Sequence, residues 1–472
     1  MLPPPRLPIH LLALVAVLSL RPYFFLLAYI VVLYLRPQEY IPEVMEAPLV
    51  PVMLLSALAL WLVGQAKNFE APQFRLMPGL VAAMFISVLM TGWLTGAIDV
   101  VTKFAPTLIL FYITATSVDS LKRFRAMCIV LATVSTVMVM HGIDQVESEF
   151  GIGWTGAKTI EGRITYLGFL NDPNDLSMAL LISLPLTIYL ARASTWFPLR
   201  LAAVGAACMN LYGIYLCNSR GSMLGVLTML LLYATRHYGW LRSLIVAPLL
   251  VGPLMLLAPS RVSEISADED SAAGRIDAWY EGFDMFKSHP LFGVGAGLFT
   301  DHHRMTAHNS FVLAIAELGV FGYFFWFAIL GVSTLMLYRL LRSGPPDAEP
   351  LAVSAPVPTA ASPAKAKVPE TAVGPASEPE APLSWGDLRL AAGALAYAFI
   401  GALVAAYFLS RTYVVFLYLL VALIVAVFQM ARTRWPGFAP VRAGDVIKTL
   451  FILEIGSIAF LWLITRVLLS FS

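Results

Sequence analysis

Residues 412–430 read TYVVFLYLLVALIVAVFQM, an apolar run without a single charged side chain. A helix needs about 20 apolar residues to cross the hydrocarbon core of a bilayer, and this run has that length. The run therefore predicts a membrane-spanning helix. Comparable runs recur from one end of the chain to the other, so the sequence predicts an all-α, polytopic bundle of transmembrane helices.

The composition supports the same class of protein. Of the 472 residues, 59% are hydrophobic and 13% are charged, and the net charge is +2. An average soluble domain is roughly 45–50% apolar and about 25% charged. These values exclude a soluble globular enzyme and a disordered protein, and so small a net charge provides no basic surface for nucleic acid. The three cysteines lie inside apolar runs, which fits neither a disulfide framework nor a zinc site.

We predict twelve to fourteen membrane spans. The first two runs are short, and because Arg21-Pro22 divides them, they form either a hairpin or one kinked helix. The predicted spans lie near 7–20, 23–35, 49–64, 78–94, 98–118, 126–141, 173–191, 199–217, 221–235, 241–258, 319–340, 387–408, 412–430 and 447–469.

Lysine and arginine predict the orientation of the bundle, because short cytoplasmic loops carry an excess of both. The basic clusters recur in every second loop and therefore share the cytoplasmic side. They comprise Lys122, Arg123, Arg125, Arg192, Arg200, Arg236, Arg242, Arg339, Arg342, Arg432, Arg434 and Arg442. We expect the intervening loops to face outward: 142–172, 218–221, 259–308 and 409–411.

The chain divides into three parts. Residues 1–342 form a transmembrane core that includes the outward loops, and residues 386–472 form C-terminal transmembrane helices. Between them, residues 343–385 contain ten of the 31 prolines. A segment of this composition cannot bury enough apolar surface to fold, so it is predicted to be a disordered cytoplasmic linker.

Scarce polar residues concentrate in the outward loop 259–308. Four of the seven histidines lie there, at 289, 302, 303 and 308. Residues 275–287 show apolar side chains at helical spacing, which predicts an amphipathic helix that could lie on the outer membrane surface, with Arg275 and Trp279 on one face. His308 stands near the start of the next helix, whose dipole lowers the imidazole pKa and favours the neutral, proton-accepting form.

Two further outward features carry arginine. Arg163 precedes Asn171-Asp-Pro-Asn-Asp175, whose acidic and amide side chains are also ordinary caps for the helix that follows. Arg220 lies in Asn218-Ser-Arg-Gly-Ser222, squeezed between two spans. Arginines match phosphate oxygens bidentately and stabilise a departing diphosphate, while a neutral histidine can accept a proton from a hydroxyl group. The pattern favours a pyrophosphate ligand at the outer surface.

These motifs resemble the O-antigen ligase / Wzy polymerase superfamily over roughly residues 90–340. The resemblance rests on Arg220 within Ser-Arg-Gly, on Arg275 with Trp279, on His289-Pro-Leu-Phe-Gly-Val-Gly, and on Ala307-His308-Asn309 followed by Glu317-Leu-Gly. More loosely, Arg21-Pro22-Tyr23 and Arg36-Pro37 resemble the exosortase-associated O-glycosylation ligase branch. The proline-rich insert and the extra C-terminal spans depart from the usual pattern.

The resemblance implies a metal-independent, inverting glycosyltransferase of the GT-C class that needs no cofactor. Such enzymes of the bacterial inner membrane take a glycan from undecaprenyl diphosphate at the periplasmic face and pass it to a lipid, glycan or protein acceptor. By the resemblance, Arg220 and Arg275 bind the diphosphate and His308 is the general base or positions the acceptor. Arg163, Trp279 and Asn309 are further substrate-binding candidates.

Other functions stay open at this point. A polysaccharide polymerase of the same superfamily fits the same motifs. A transporter of lipid-linked glycans usually carries its ionisable groups at midplane, whereas here they lie in outward loops. Asp301, His302, His303 and His308 could supply metal ligands, but without fixed spacing. A retaining mechanism would need a carboxylate nucleophile, and nothing selects among Asp172, Asp277 and Asp301.

Overall fold

The structure is a computed structural model that describes residues 22–45, 47–64, 67–243, 265–344 and 383–470. Throughout these ranges the regular structure is helical. Short 3-10 helices cover Pro37–Glu39, Pro42–Val44 and Gly168–Leu170. The α-helices are α1 (Pro22–Leu35), α2 (Leu49–Val63), α3 (Gln73–Leu89), α4 (Leu94–Ser117), α5 (Leu121–Glu147), α6 (Pro173–Ala193), α7 (Phe197–Cys217), α8 (Arg220–Tyr238), α9 (Ile265–Ser288), α10 (Phe299–His302), α11 (Ser310–Arg342), α12 (Trp385–Ala406), α13 (Val415–Arg434) and α14 (Ala443–Leu469).

Eight of the described helices are long and apolar enough to cross a membrane: α4, α5, α6, α7, α11, α12, α13 and α14. The predicted all-α, polytopic membrane fold is thereby confirmed. Helices α2 and α3 are apolar but shorter. The predicted span 7–20 and most of 241–258 lie outside the described residues, as does nearly all of the proline-rich segment, so the count of twelve to fourteen stays a prediction.

The quoted run forms most of α13. In the most apolar stretch of this helix 89% of the residues are buried, the largest share among the eight helices. Helix α6 is nearly as buried, at 83%, whereas only 17% of the most apolar stretch of α14 is buried. An apolar helix that is hydrophobic on all sides belongs either in a protein core or against lipid. The bundle therefore has α6 and α13 at its centre and α14 at its periphery.

Successive helices from α1 to α8 and from α11 to α14 alternate in direction, so their connections fall at two ends of the bundle. At one end, the Ser310 hydroxyl at the start of α11 donates to the carbonyl oxygen of Leu409 after α12. At the other end, the Gln73 side chain at the start of α3 donates to the Ser333 hydroxyl of α11 at 3.2 Å. We call these the site end and the far end. The Tyr166 hydroxyl donates to the carbonyl oxygen of Leu35 at 3.1 Å, which places the last turn of α1 at the site end.

Helix α11 is interrupted at Gly319, where φ is 60° and ψ is −169°. The segment after α9 fills this interruption with backbone hydrogen bonds. Val294 N–H donates to the carbonyl oxygen of Ala316 at 3.0 Å, and Val320 N–H donates to that of Pro290 at 2.9 Å. The helical groups that the break would leave unpaired are therefore satisfied by the loop, which is fixed against the membrane helix.

Candidate functional site

The predicted outward loops meet at the site end, and their contacts join them into one surface. Arg163 makes the first connection. Its Nε donates to the carbonyl oxygen of Cys217 at 2.8 Å, and its Nη2 donates to Asn174 Oδ1 at 2.8 Å. One guanidinium thus ties loop 142–172 to the end of α7 and to the start of α6. Arg220 lies three residues after Cys217, at the start of α8. Arg163 therefore supports the turn that carries Arg220.

Asp172 caps α6, as the sequence predicted. Its carboxylate accepts from the N–H groups of Asn174 at 2.8 Å and Asp175 at 3.4 Å, and Pro173 occupies the first helical position. Asp175, in the first turn of α6, is only 5% exposed. A buried carboxylate needs a partner, because an isolated charge is strongly disfavoured away from water.

Arg411 is that partner, and sequence reasoning missed it. Its Nη2 donates to Asp175 Oδ2 at 2.6 Å, and its Nε donates to Oδ1 of the same carboxylate. Burial alone would lower the pKa of the Arg411 guanidinium, but the hydrogen bonds and charge of Asp175 outweigh it and raise this pKa. A signal was present: Arg411 lies in the predicted outward loop 409–411, against the charge bias that defines such loops.

His308 lies at the entrance to α11 in a left-handed backbone conformation, with φ of 48°. The side chain is half-buried, and within the described ranges neither ring nitrogen forms a hydrogen bond. Burial lowers the imidazole pKa, and the charges of Arg275 and Arg411 lower it further against the opposing effect of Asp172. The neutral ring is therefore favoured. The pKa is lowered, as the sequence predicts, but burial and the guanidinium charges lower it rather than the helix dipole.

Arg275 is half-buried on α9, and its pKa is lowered by burial and by the neighbouring charge of Arg220. Two guanidinium groups with overlapping fields repel each other unless an anion lies between them. Since the charge of Arg275 also acts on His308, these three predicted residues share one electropositive region. The structure thus brings together Arg220, Arg275 and His308.

Trp279 and Asn309, the other predicted substrate contacts, are largely enclosed. The Trp279 ring is 7% exposed and meets Tyr407 edge-on, with 5.5 Å between ring centroids. Asn309 is fully buried and caps α11, its Oδ1 accepting from the N–H groups of Phe311 at 2.9 Å and Val312 at 3.2 Å. Trp279 therefore packs against the residue that follows α12, and Asn309 stabilises the first turn of α11, which comes directly after His308. Contact with substrate stays a prediction for each.

The acidic and histidine residues considered for metal binding do not cluster. His303 Nε2 lies 3.2 Å from Asp277 Oδ2, while its Nδ1 lies 2.9 Å from the carbonyl oxygen of Met305. Across the described part of the chain, no group of three or more histidine, cysteine, aspartate or glutamate side chains could hold a metal ion. His303 instead joins α9 to the loop that leads to His308.

The segment that carries Arg220, Arg275 and His308 is similar to a known protein family. Residues 203–327 match the family model of the O-antigen ligases. The resemblance read from the motifs is confirmed over this segment, which contains Arg220, Arg275 and His308. No curated protein matches the chain. Arg163, Asp175 and Arg411 lie outside the matched segment in sequence. Arg163 contacts Cys217 and Arg411 contacts Ser310, both within the segment, and Asp175 is linked to it through Arg411.

Proposed function

We propose that this membrane protein transfers an oligosaccharide or polysaccharide from an undecaprenyl-diphosphate carrier to an acceptor hydroxyl at the periplasmic face. The observation that carries the proposal is the pair Arg220 and Arg275 beside the half-buried ring of His308, for which the neutral form is favoured. Paired guanidinium groups suit a diphosphate, and a neutral imidazole suits an acceptor hydroxyl. The O-antigen ligase domain supplies the reaction class, a membrane glycosyltransferase.

The reaction follows from these roles. A ring nitrogen of His308 accepts the proton of the acceptor hydroxyl while the oxygen attacks the anomeric carbon of the donor sugar. The bond between that carbon and the diphosphate oxygen breaks on the opposite face, so the configuration inverts. Negative charge grows on the departing diphosphate, and Arg220 and Arg275 stabilise it. No metal ion is required in this scheme, because the two guanidinium groups neutralise the leaving group.

The distribution of basic residues supports the periplasmic placement. The clusters in the connections between α4 and α5, between α6 and α7 and after α13 all lie at the far end, opposite His308. Cytoplasmic loops carry this excess of lysine and arginine. The site end would then face the periplasm, where lipid-linked glycans are presented for transfer.

Transfer by the purified protein tests the proposal. We expect His308→Ala, Arg220→Ala and Arg275→Ala to abolish glycan transfer from a lipid-diphosphate donor in nanodiscs while each protein still inserts. His237→Ala, in the last turn of α8 at the far end, is the matched control and should keep wild-type activity. Full activity of His308→Ala would overturn the general-base role.

The products separate the related functions. A ligase moves a finished chain to a different acceptor in one step, whereas a polymerase yields a ladder of growing chains. Movement of the lipid-linked glycan across the bilayer without any transfer would overturn the enzyme assignment in favour of a transporter. Candidate acceptors for this assay are a lipid A core sugar, a free glycan chain and a protein.

A further inference from the structure

We propose that the ion pair between Asp175 and Arg411 is a positioning element that fixes His308 against the arginine pair. The inference rests on the proposed role of His308 as the general base. Neither residue of the ion pair lies in the O-antigen ligase domain at 203–327. Arg411 directs both nitrogens of one guanidinium edge at the Asp175 carboxylate, so that edge is engaged within the protein rather than offered to a ligand.

The loop that carries Arg411 grips the start of α11. Arg411 N–H donates to the Ser310 hydroxyl at 2.8 Å, and that hydroxyl donates to the carbonyl oxygen of Leu409 at 2.5 Å. The Thr412 hydroxyl donates to the carbonyl oxygen of Ser310 at 2.9 Å. Ser310 is fully buried and lies two residues after His308. The position of the loop therefore sets the position of the imidazole.

The same chain of contacts reaches Arg220. Asp175 is in the first turn of α6, one residue after Asn174, and Asn174 is held by Arg163, which also holds Cys217. Starting from His308, the path runs through Ser310, Arg411 and the first turn of α6 to the turn that presents Arg220. The proposed base, His308, and a residue proposed to bind the diphosphate, Arg220, are thus held in place relative to one another by groups that need not touch the substrate.

The left-handed backbone of His308 makes such restraint necessary. A residue other than glycine at φ of 48° is held there only when its surroundings overdetermine it. The hydrogen bonds at Ser310, two residues further along the chain, supply that restraint. Without Asp175, Arg411 keeps its charge but loses its anchor, and the loop is free to drift from α11.

Substitution of the pair tests the inference. We expect Arg411→Gln and Asp175→Asn each to lower kcat by about 10–100-fold, the loss that a displacement of roughly 1 Å produces, with little change in KM for the lipid-linked donor. The double variant should be no worse than either single variant, because both remove the same restraint. Arg432→Gln, which breaks an ion pair with Glu70 at the far end, is the matched control and should leave kcat unchanged.

The pH profile separates positioning from general damage to the fold. The charged groups that act on His308 are Arg275 from α9, Asp172 at the N-cap of α6 and Arg411 from the loop after α12. Loss of the Arg411 charge raises the imidazole pKa, so the acid limb of kcat/KM should move to higher pH in Arg411→Gln. Arg411→Lys keeps the charge but not the bidentate geometry. It should therefore lower kcat and leave the acid limb of kcat/KM at the same pH.

A third measurement does not depend on activity. Hydrogen exchange should become faster at residues 308–312 and 409–412 in Arg411→Gln and Asp175→Asn, and stay unchanged in Arg432→Gln. Wild-type kcat, pH profile and exchange in Arg411→Gln would overturn the inference even if His308→Ala were inactive. An active His308→Ala protein would instead overturn the proposed function, so the two failures are distinguishable.

Discussion

The Glu317 carboxylate joins two loops at the site end, because its Oε2 accepts a hydrogen bond from the Tyr413 hydroxyl at 2.9 Å. Its Oε1 accepts from the N–H of Phe299 at 3.2 Å, and the side chain is only 2% exposed. The segment after α9 and the loop after α12 are thereby attached to one point of α11. A single carboxylate therefore holds both loops beside the start of α11.

Glu317→Ala should destabilise the protein without removing a group from the arginine pair. The substitution leaves a buried N–H and a buried hydroxyl without acceptors, at about 1–3 kcal/mol for each unsatisfied group. We expect a lower thermal midpoint in detergent. Tyr413→Phe removes only one of the two bonds and should cause a smaller decrease. Equal midpoints for Glu317→Ala and the wild type would show that these loops are held by other contacts.

Gly319→Ala should displace the segment after α9. A Cβ at this position would lie 2.5 Å from the backbone carbonyl of Leu291, and φ of 60° is itself unfavourable for alanine. We expect a loss of stability of about 1–3 kcal/mol together with reduced transfer. Gly205→Ala in α7 is the matched control, since nothing lies within 4 Å of its added Cβ. A helical glycine replaced by alanine should be neutral or stabilising by up to about 1 kcal/mol.

Deletion of residues 346–381 with a short Gly-Ser replacement should preserve both the fold and transfer. The Trp385 indole donates to the carbonyl oxygen of Ser343 at 3.2 Å, and Arg389 donates to that of Leu341 at 3.1 Å. The two ends of the insert therefore meet at the far end, where a short connection can span them. Thermal midpoint and transfer rate should match the wild type. Loss of transfer with an unchanged midpoint would indicate that the insert itself takes part in the reaction.

Much of the fold could be predicted from the sequence because the membrane imposes a simple rule on helix length and composition. Residues 412–430 show this directly, since they form most of α13, the most buried of the eight described helices that could span a membrane. Arg220, Arg275 and His308 could be singled out as candidate site residues because charge is scarce in this chain and their motifs are distinctive, and their roles stay predictions. The observed helix boundaries differ from the predicted ones by several residues. The span predicted at 78–94, for example, is observed at Gln73–Leu89.

The remaining site residues depend on contacts that are distant in sequence. Asp175 lies 236 positions from Arg411, and an Asn-Asp-Pro-Asn-Asp segment accounts for its acidic residues by helix capping alone. Gly319 looks like an ordinary glycine in an apolar run until the segment after α9 is placed against it. Trp279 and Asn309 belong to the motifs, but only the structure shows that they pack and cap. Neither periodicity nor composition carries information of this kind.

Asp172→Asn should shift the pH dependence of transfer toward acid. The carboxylate of Asp172 raises the His308 pKa, whereas burial, Arg275 and Arg411 lower it. Removing the negative charge therefore lowers the pKa of the imidazole, which stays neutral and competent as a base at lower pH. Asparagine caps a helix as well as aspartate does, so α6 should remain stable. The acid limb of kcat/KM, measured with saturating acceptor, should move to lower pH, opposite to the shift expected for Arg411→Gln. A shift of both variants in the same direction would contradict a limb governed by the charge around His308, and the matched variant Asp445→Asn in the first turn of α14 at the far end should leave the profile unchanged.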